Sequence, residues 1–431
     1  MSSRGLYLAL LALLTVLLGS AATVATATST QYGGSVQAPS GVVLHSVCGD
    51  ATRGLLFAVG TDGTNGVIYR VDNLTEGGFV GPTQYKPGWA SYITFYACEV
   101  VDNYLFVVGE GQHKTQGVIQ SVIVVYNITQ QKTLSYVNGI NTGVGLGTVK
   151  FRDVDVKKMD SKYYIYTLSI VDSKIGLYYT SFTKRALGRI NSVSIGTGGD
   201  GYGVSIWGNY LGLLWKDAYG NLKLEVFDIS SGAPTTSRQT VTVLESFAGI
   251  RASEAAYSEG FLVAVAGKLY RVYLSGGNWT AEEFVEFNDP NVAECNPYAM
   301  LVAEHSGAKA AYIFSQTLPP NIRMCFIAVD LVGKGVITDS LTILQLPMEG
   351  YGDAYIVWVD SETMNIVPSG NSHPYMVYTI TDGVSTSYLI YYDLTRGGSL
   401  PYPVPEAPLL VAIGTIVAAG IAIAVLARRE Y

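Results

Sequence analysis

The stretch Val125-Tyr126-Asn127-Ile128-Thr129 decides the fold, because its pattern recurs to give seven copies along the chain. A strand ends in two or three large apolar residues, and then come a turn-prone polar residue, an apolar one and often Thr or Ser. The other copies are Arg70-Val71-Asp72-Asn73-Leu74-Thr75, Tyr179-Thr180-Ser181-Phe182-Thr183, Val226-Phe227-Asp228-Ile229-Ser230, Arg271-Val272-Tyr273-Leu274-Ser275, Ala328-Val329-Asp330-Leu331-Val332 and Tyr391-Tyr392-Asp393-Leu394-Thr395. From Asn73 through Asn127, Ser181, Asp228, Tyr273 and Asp330 to Asp393, the intervals are 54, 54, 47, 45, 57 and 63 residues. Such periods match propeller blades with their loops, each blade a small sheet that buries its faces only by stacking on its neighbours.

Working outward, each copy follows another apolar run: Leu55 to Val59, Tyr104 to Val108, Tyr163 to Leu168, Tyr210 to Trp215, Phe261 to Ala266, Ala310 to Phe314 and Tyr375 to Ile380. The two runs make a hairpin, and turns such as Thr61-Asp62-Gly63 and Thr381-Asp382-Gly383 supply the residues that tolerate positive φ. A further strand precedes each hairpin, as in Ile93 to Ala97, Val149 to Val154 and Tyr355 to Val359. A weaker, more polar fourth strand follows, as in Thr133 to Val137, Ser237 to Leu244 and Val336 to Leu346. The expectation is an all-β, seven-bladed β-propeller over residues 28–400, with six or eight blades as nearby alternatives. The seventh unit lacks a good fourth strand, and Thr30 to Val36 is placed to supply it and close the ring. Tandem β-sandwiches are the rival architecture; spacing that persists with no linker favours the propeller.

Composition agrees with an all-β class. Of 431 residues, 48% are hydrophobic and 14% charged, with 48 Gly and 31 Tyr, so a large core and many tight turns are expected. The net charge of -7 leaves no basic footprint for phosphates, which argues against a nucleic-acid partner.

Both ends carry membrane signals. Arg4, the apolar run Leu6 to Leu18 and Ala25-Thr26-Ala27 read as a cleavable signal peptide over residues 1–27, with a retained anchor as the alternative. Residues 401–408 form a Pro-rich stalk, and 409–427 are uncharged and long enough to span a bilayer as one transmembrane helix. Arg428 and Arg429 place the tail, 428–431, on the cytoplasmic side and the body outside. Pro405-Glu406, the apolar helix and the Arg pair together resemble the tripartite C-terminal sorting signals of archaeal and some bacterial surface proteins. That resemblance implies that the helix can be removed and the new end transferred to an anchor; with either fate the body stays at the cell surface.

Cys48, Cys98, Cys295 and Cys325 all lie in the exported part, where disulfides persist. Four cysteines allow three pairings. Cys48 and Cys98 fall at matching places in units one and two, and Cys295 and Cys325 both belong to unit six, which favours those two bonds over free buried thiols. No cysteine has a metal-site spacing, so neither metal nor cofactor is expected. Asn73, Asn127 and Asn278 open N-x-S/T sequons and are glycan acceptors in principle, although the first two coincide with the repeat and suit its turn.

The loops leading into the first strands gather at one end of the channel, the default binding face of a propeller. They hold Trp89, Tyr92, Asp200, Tyr202, Asp289, Tyr351 and Asp353, rings beside carboxylates suited to stacking on a sugar or gripping a peptide. Ordinary turn chemistry and inter-blade packing explain the same residues without a ligand. No residue is assigned a catalytic role: none of the four histidines stands in a nucleophile or zinc motif. Glu99, Asp153, Asp155, Glu254 and Glu304 are the carboxylates that could line the channel for acid–base work. The expected function is binding of an extracellular protein or glycan by a membrane-anchored body. A self-associating envelope component and a hydrolase or lyase are the alternatives.

Overall fold

A computed structural model describes residues 33–394 except 145–147, 172–173, 236–237, 291, 306–307, 318–323, 342–348, 351–353, 361, 370–372 and 383–384. Seven antiparallel sheets follow one another along the chain, most with four strands in sequential order. Their first strands are Val43–Asp50, Ala90–Val101, Phe151–Met159, Gly201–Trp207, Ser253–Tyr257, Asn296–His305 and Tyr355–Val359. From blade 1 through blade 5 each of these strands touches its counterpart in the next blade, blades 6 and 7 share one buried apolar cluster, and blade 7 returns to touch blade 1. The architecture is therefore the seven-bladed propeller, and the tandem-sandwich alternative falls.

Burial follows position within the blade. In blade 1 the second strand, Leu55–Thr61, is buried at all but its last residue, whereas the fourth, Phe79–Tyr85, has no buried residue. Inner strands are covered on both faces by neighbouring blades and so read as continuous apolar runs, while the outermost meets water. The core is accordingly divided into wedges between blades. Phe57, Phe95, Val107 and Val124 fill the wedge between blades 1 and 2, and Phe326 stacks on Tyr392 at 3.7 Å between blades 6 and 7.

Closure uses the N-terminal segment, as the sequence suggested. Gly33–Gln37 pairs antiparallel with Ser387–Asp393, from Gly33 opposite Tyr392 to Gln37 opposite Tyr388, and becomes the outer strand of blade 7. The two disulfides join Cys48 to Cys98 across blades 1 and 2, and Cys295 to Cys325 within unit six.

Several strands differ in extent from the expectation. The first strand of blade 2 runs from Ala90 to Val101 because pairing resumes after two irregularities. Blade 3 adds a short strand, Ala186–Leu187. The last strand of blade 6 ends at Leu341, and the remainder of the expected run, 342–346, lies outside the described residues. Among the described residues the one complete helical element is the 3₁₀ turn Ala51–Arg53, and no helix is long and apolar enough to cross a membrane. The expected signal peptide, stalk, span and tail lie outside the described residues.

Candidate functional site

Five first strands break register at the same place. Pairing jumps from Leu44 to Ser46, Phe95 to Ala97, Phe151 to Asp153, Gly201 to Gly203 and Pro297 to Ala299, leaving His45, Tyr96, Arg152, Tyr202 and Tyr298 as the extra residues. A bulge kinks the strand and re-aims its unpaired side chain. Because the first strands converge at the channel, five large polar residues arrive at the incoming-loop mouth, one from each blade. Blade 5 adds Arg251 just ahead of its first strand.

The bulges also force the second strand close. A Cβ on Gly60 would lie 1.9 Å from the Val43 carbonyl oxygen, and one on Gly109 would lie 2.1 Å from that of Thr94. Gly60 pairs with Leu44 and Gly109 with Phe95, the residues immediately before the bulges. Glycine is required at both positions by this approach.

These residues touch from blade to blade. The His45 and Tyr96 rings are 4.8 Å apart, and the Arg152 guanidinium carbon lies 3.9 Å from the centre of the Tyr96 ring. Tyr96 Oη donates to Glu110 Oε1 at 3.2 Å, while Glu110 Oε2 has only a 3.6 Å ion pair with Arg152. On the other flank, Arg251 lies 5.4 Å from the centre of the Tyr298 ring. Tyr202 comes between, its ring edge-on to Phe247 at 6.1 Å and its hydroxyl buried without a hydrogen-bond partner among the described residues. From blade 2 to blade 6 the mouth thus reads Tyr96, Arg152, Tyr202, Arg251, Tyr298: aromatic and cationic groups in alternation.

The electrostatics follow from burial. Desolvation, with Arg152 nearby, lowers the His45 imidazole to about 3, so it is neutral. Burial and the Glu110 carboxylate push the Tyr96 phenol up to about 12. Burial and Asp200 raise the Tyr202 phenol too, against the opposing field of Arg251. Arg152, Arg251 and Lys216 are set against Glu110, Asp200 and Glu254, so the mouth has no large excess of either sign.

Of the residues proposed from sequence, Tyr202 is in this arc and Tyr92 lies beside it, within the fields of Glu110 and Arg152. Asp200 is near, exposed and 3.6 Å from Lys216. Trp89 is elsewhere, stacked on His113 of its own blade at 6.2 Å. Asp289 is also elsewhere: it accepts from Thr338 Oγ1 at 2.7 Å and lines a separate cleft of about 320 Å³ with Lys334 and Glu286. Tyr351 and Asp353 lie outside the described residues. His45, Tyr96, Arg152, Arg251 and Tyr298 were missed. Aligning the units on their first strands would have revealed them as large polar residues, mostly followed by a small one: Ser46, Ala97, Ala252 or Ala299.

Two channel carboxylates are engaged with backbone. Asp153 accepts from its own chain at Val154 N, 2.8 Å, and from blade 4 at Val204 N, 2.7 Å. Asp155 accepts from Val156 N at 2.6 Å and from Ile206 N of blade 4, yet desolvation raises its carboxyl to about 6. Both staple blade 3 to blade 4, each carboxylate accepting one amide from either blade. Glu254 is buried against Gly203, Glu99 is within the field of Tyr355, and the side chain of Glu304 lies outside the described residues. Among the described residues no group of three His, Cys, Asp or Glu is arranged to hold a metal ion.

Neither a family model nor a curated protein matches the sequence. Among solved structures, Sqt1 from Chaetomium thermophilum superposes with a TM-score of 0.50 at 12% identity, covering 86% of each chain. Trypanosoma rangeli sialidase in complex with the inhibitor DANA gives 0.42 at 11% identity over 72% of this chain, which spans 56% of that enzyme's length. A putative 6-phosphogluconolactonase from Bacteroides uniformis gives 0.46 at 10% identity, covering 69% of this chain and 85% of that one. At these identities the likeness is one of fold alone.

Proposed function

We propose that this chain is an extracellular binding protein, tethered to a membrane by residues 409–427, that recognises a glycan at the channel mouth. The alternation of Tyr96, Arg152, Tyr202, Arg251 and Tyr298 around the first strands carries this reading. Ring faces cover the apolar face of a pyranose, while the guanidinium forks of Arg152 and Arg251 offer paired donors to neighbouring hydroxyls. The balance of cations and carboxylates favours an uncharged sugar over a polyanion, which would meet Glu110 and Glu254 as well as the arginines. Two disulfides suit an oxidising compartment, in keeping with export.

The test is calorimetric titration of the detergent-solubilised full chain with neutral oligosaccharides of several linkages. Binding of at least one is expected, with affinity lost by tenfold or more in Arg152→Ala and in Tyr202→Ala, on the order of 1.4 kcal/mol or more each. Tyr219→Ala, at an exposed turn, should leave it unchanged. Failure of every glycan to bind, or equal binding by Arg152→Ala, rejects the assignment.

A further inference from the structure

The opposite face of the ring holds a cavity of about 430 Å³ lined by Asp50, Arg53, Asp102, Asn103, Tyr104, Asn127 and Tyr163. It draws on blades 1, 2 and 3, and its walls are tied together. Arg53 Nε lies 2.7 Å from Asp50 Oδ2, and its Nη1 donates to Asn103 Oδ1 at 2.9 Å. Asp102 Oδ2 accepts from Tyr163 Oη at 2.6 Å and pairs with Lys158 Nζ at 2.6 Å. These bonds, with Arg53 and Lys158 nearby, hold the Asp102 carboxyl below its usual range. The Tyr104 and Tyr163 rings meet edge to face at 5.4 Å.

Asn127 is the unusual member. At this point of the repeat the side-chain oxygen ordinarily closes a turn on the residue two further on: Asn73 accepts from Thr75 N at 3.1 Å, Asp228 from Ser230 N at 2.8 Å and Asp330 from Val332 N at 2.9 Å. In blade 2 that amide is used otherwise, since Thr129 N donates to the Thr133 carbonyl at 2.9 Å. Asn127 is therefore released from the turn, makes no side-chain hydrogen bond among the described residues, and lines the cavity half-buried. It also opens the sequon Asn127-Ile128-Thr129.

We propose that Asn127 carries an N-linked oligosaccharide whose first sugar sits in this cavity and bridges blades 1 to 3. A buried acceptor would set glycosylation against folding. A half-buried acceptor facing an open cavity allows both, with Tyr104 as an apolar wall and Arg53, Asp102 and Asn103 as partners for hydroxyls. Turn chemistry, which accounts for Asn73, does not account for Asn127. The proposal rests on the chain being exported, and Asn278, exposed beside a hairpin turn, reports on that premise independently.

The experiment is glycopeptide mass analysis of the protein isolated from its native membranes, followed by thermal melts of variants made in the same host. Tryptic peptide 115–132 should carry a hexose-containing adduct at Asn127, while peptide 71–114, which holds Asn73 and is freed of its disulfide by reduction, should run at its bare mass. Asn127→Gln should lose the adduct and lower Tm by roughly 2 °C or more, whereas Thr129→Ser, which keeps both sequon and hydroxyl, should retain both. An unmodified 115–132 beside a modified Asn278 overturns the proposal and leaves export standing. Bare peptides throughout overturn it and remove support for export as well. An occupied Asn127 whose Gln variant melts like the parent overturns the docking in the cavity.

Discussion

His45 illustrates how one residue's place converts into a pH response. It is 6% exposed, packed on Tyr96 and near Arg152, and its imidazole is lowered to about 3. In the unfolded chain the same group takes a proton near pH 6.5. Between those values the unfolded state binds more protons, so stability falls as pH drops from about 6.5, by roughly 3 kcal/mol at pH 4 from this group alone. Asp155 acts in the opposite sense: its carboxyl, raised to about 6, favours the folded state at the acid end and loses that advantage as pH climbs through about 4 to 6. His45→Gln should therefore flatten the acid limb of a Tm-against-pH curve, leaving the opposing Asp155 slope in view. An acid limb identical to the parent's would show that His45 is not held neutral.

At the scale of the element, the bulge is the unit that matters. Each one costs a ladder bond and turns a large polar residue toward the channel mouth. In blades 1 and 2 it also presses the first strand against Gly60 and Gly109, where there is no room for a methyl group. Gly109→Ala should destabilise the fold by about 1–3 kcal/mol, as overpacking does, and should weaken glycan binding through displacement of Tyr96. Urea unfolding of the variant measures the first and titration the second. Unchanged stability would mean that the strands are further apart than described. Strand period and turn residues were legible in the sequence because alternation and Gly or Asn positions are local. The bulges were not, since a register shift depends on which residue of the neighbouring strand each backbone group meets.

For the whole molecule, the decisive contact is the one that closes the ring. Gly33–Gln37 is the outer strand of blade 7, and Val36 packs with Val377 and Leu389 in the wedge toward blade 1. Removing residues 33–37 should expose the edge of Ser387–Asp393, lower Tm by roughly 5 °C or more and promote aggregation. Calorimetry and light scattering of the truncated chain check this, and a monodisperse truncation with the parent's Tm would show that closure lies elsewhere. The seven-fold repeat, the closing strand and the cysteine pairs could be read from the chain alone, because a periodic pattern of burial and matching positions in successive units are properties of sequence spacing. Tyr202 was legible too, as a ring in a Gly-rich leading loop. What only the tertiary structure decided is which side chains meet: His45, Tyr96, Arg152, Arg251 and Tyr298 lie 51, 56, 99 and 47 residues apart in turn, and the small residue that follows most of them does not by itself mark them as neighbours. The same holds for Asp153 and Asp155, which spacing alone offers as channel acids and which the adjoining strand of blade 4 engages as acceptors for its amides. Local pattern fixes strands and turns, while chemistry at a channel is set by the packing of blades around an axis that no local segment contains.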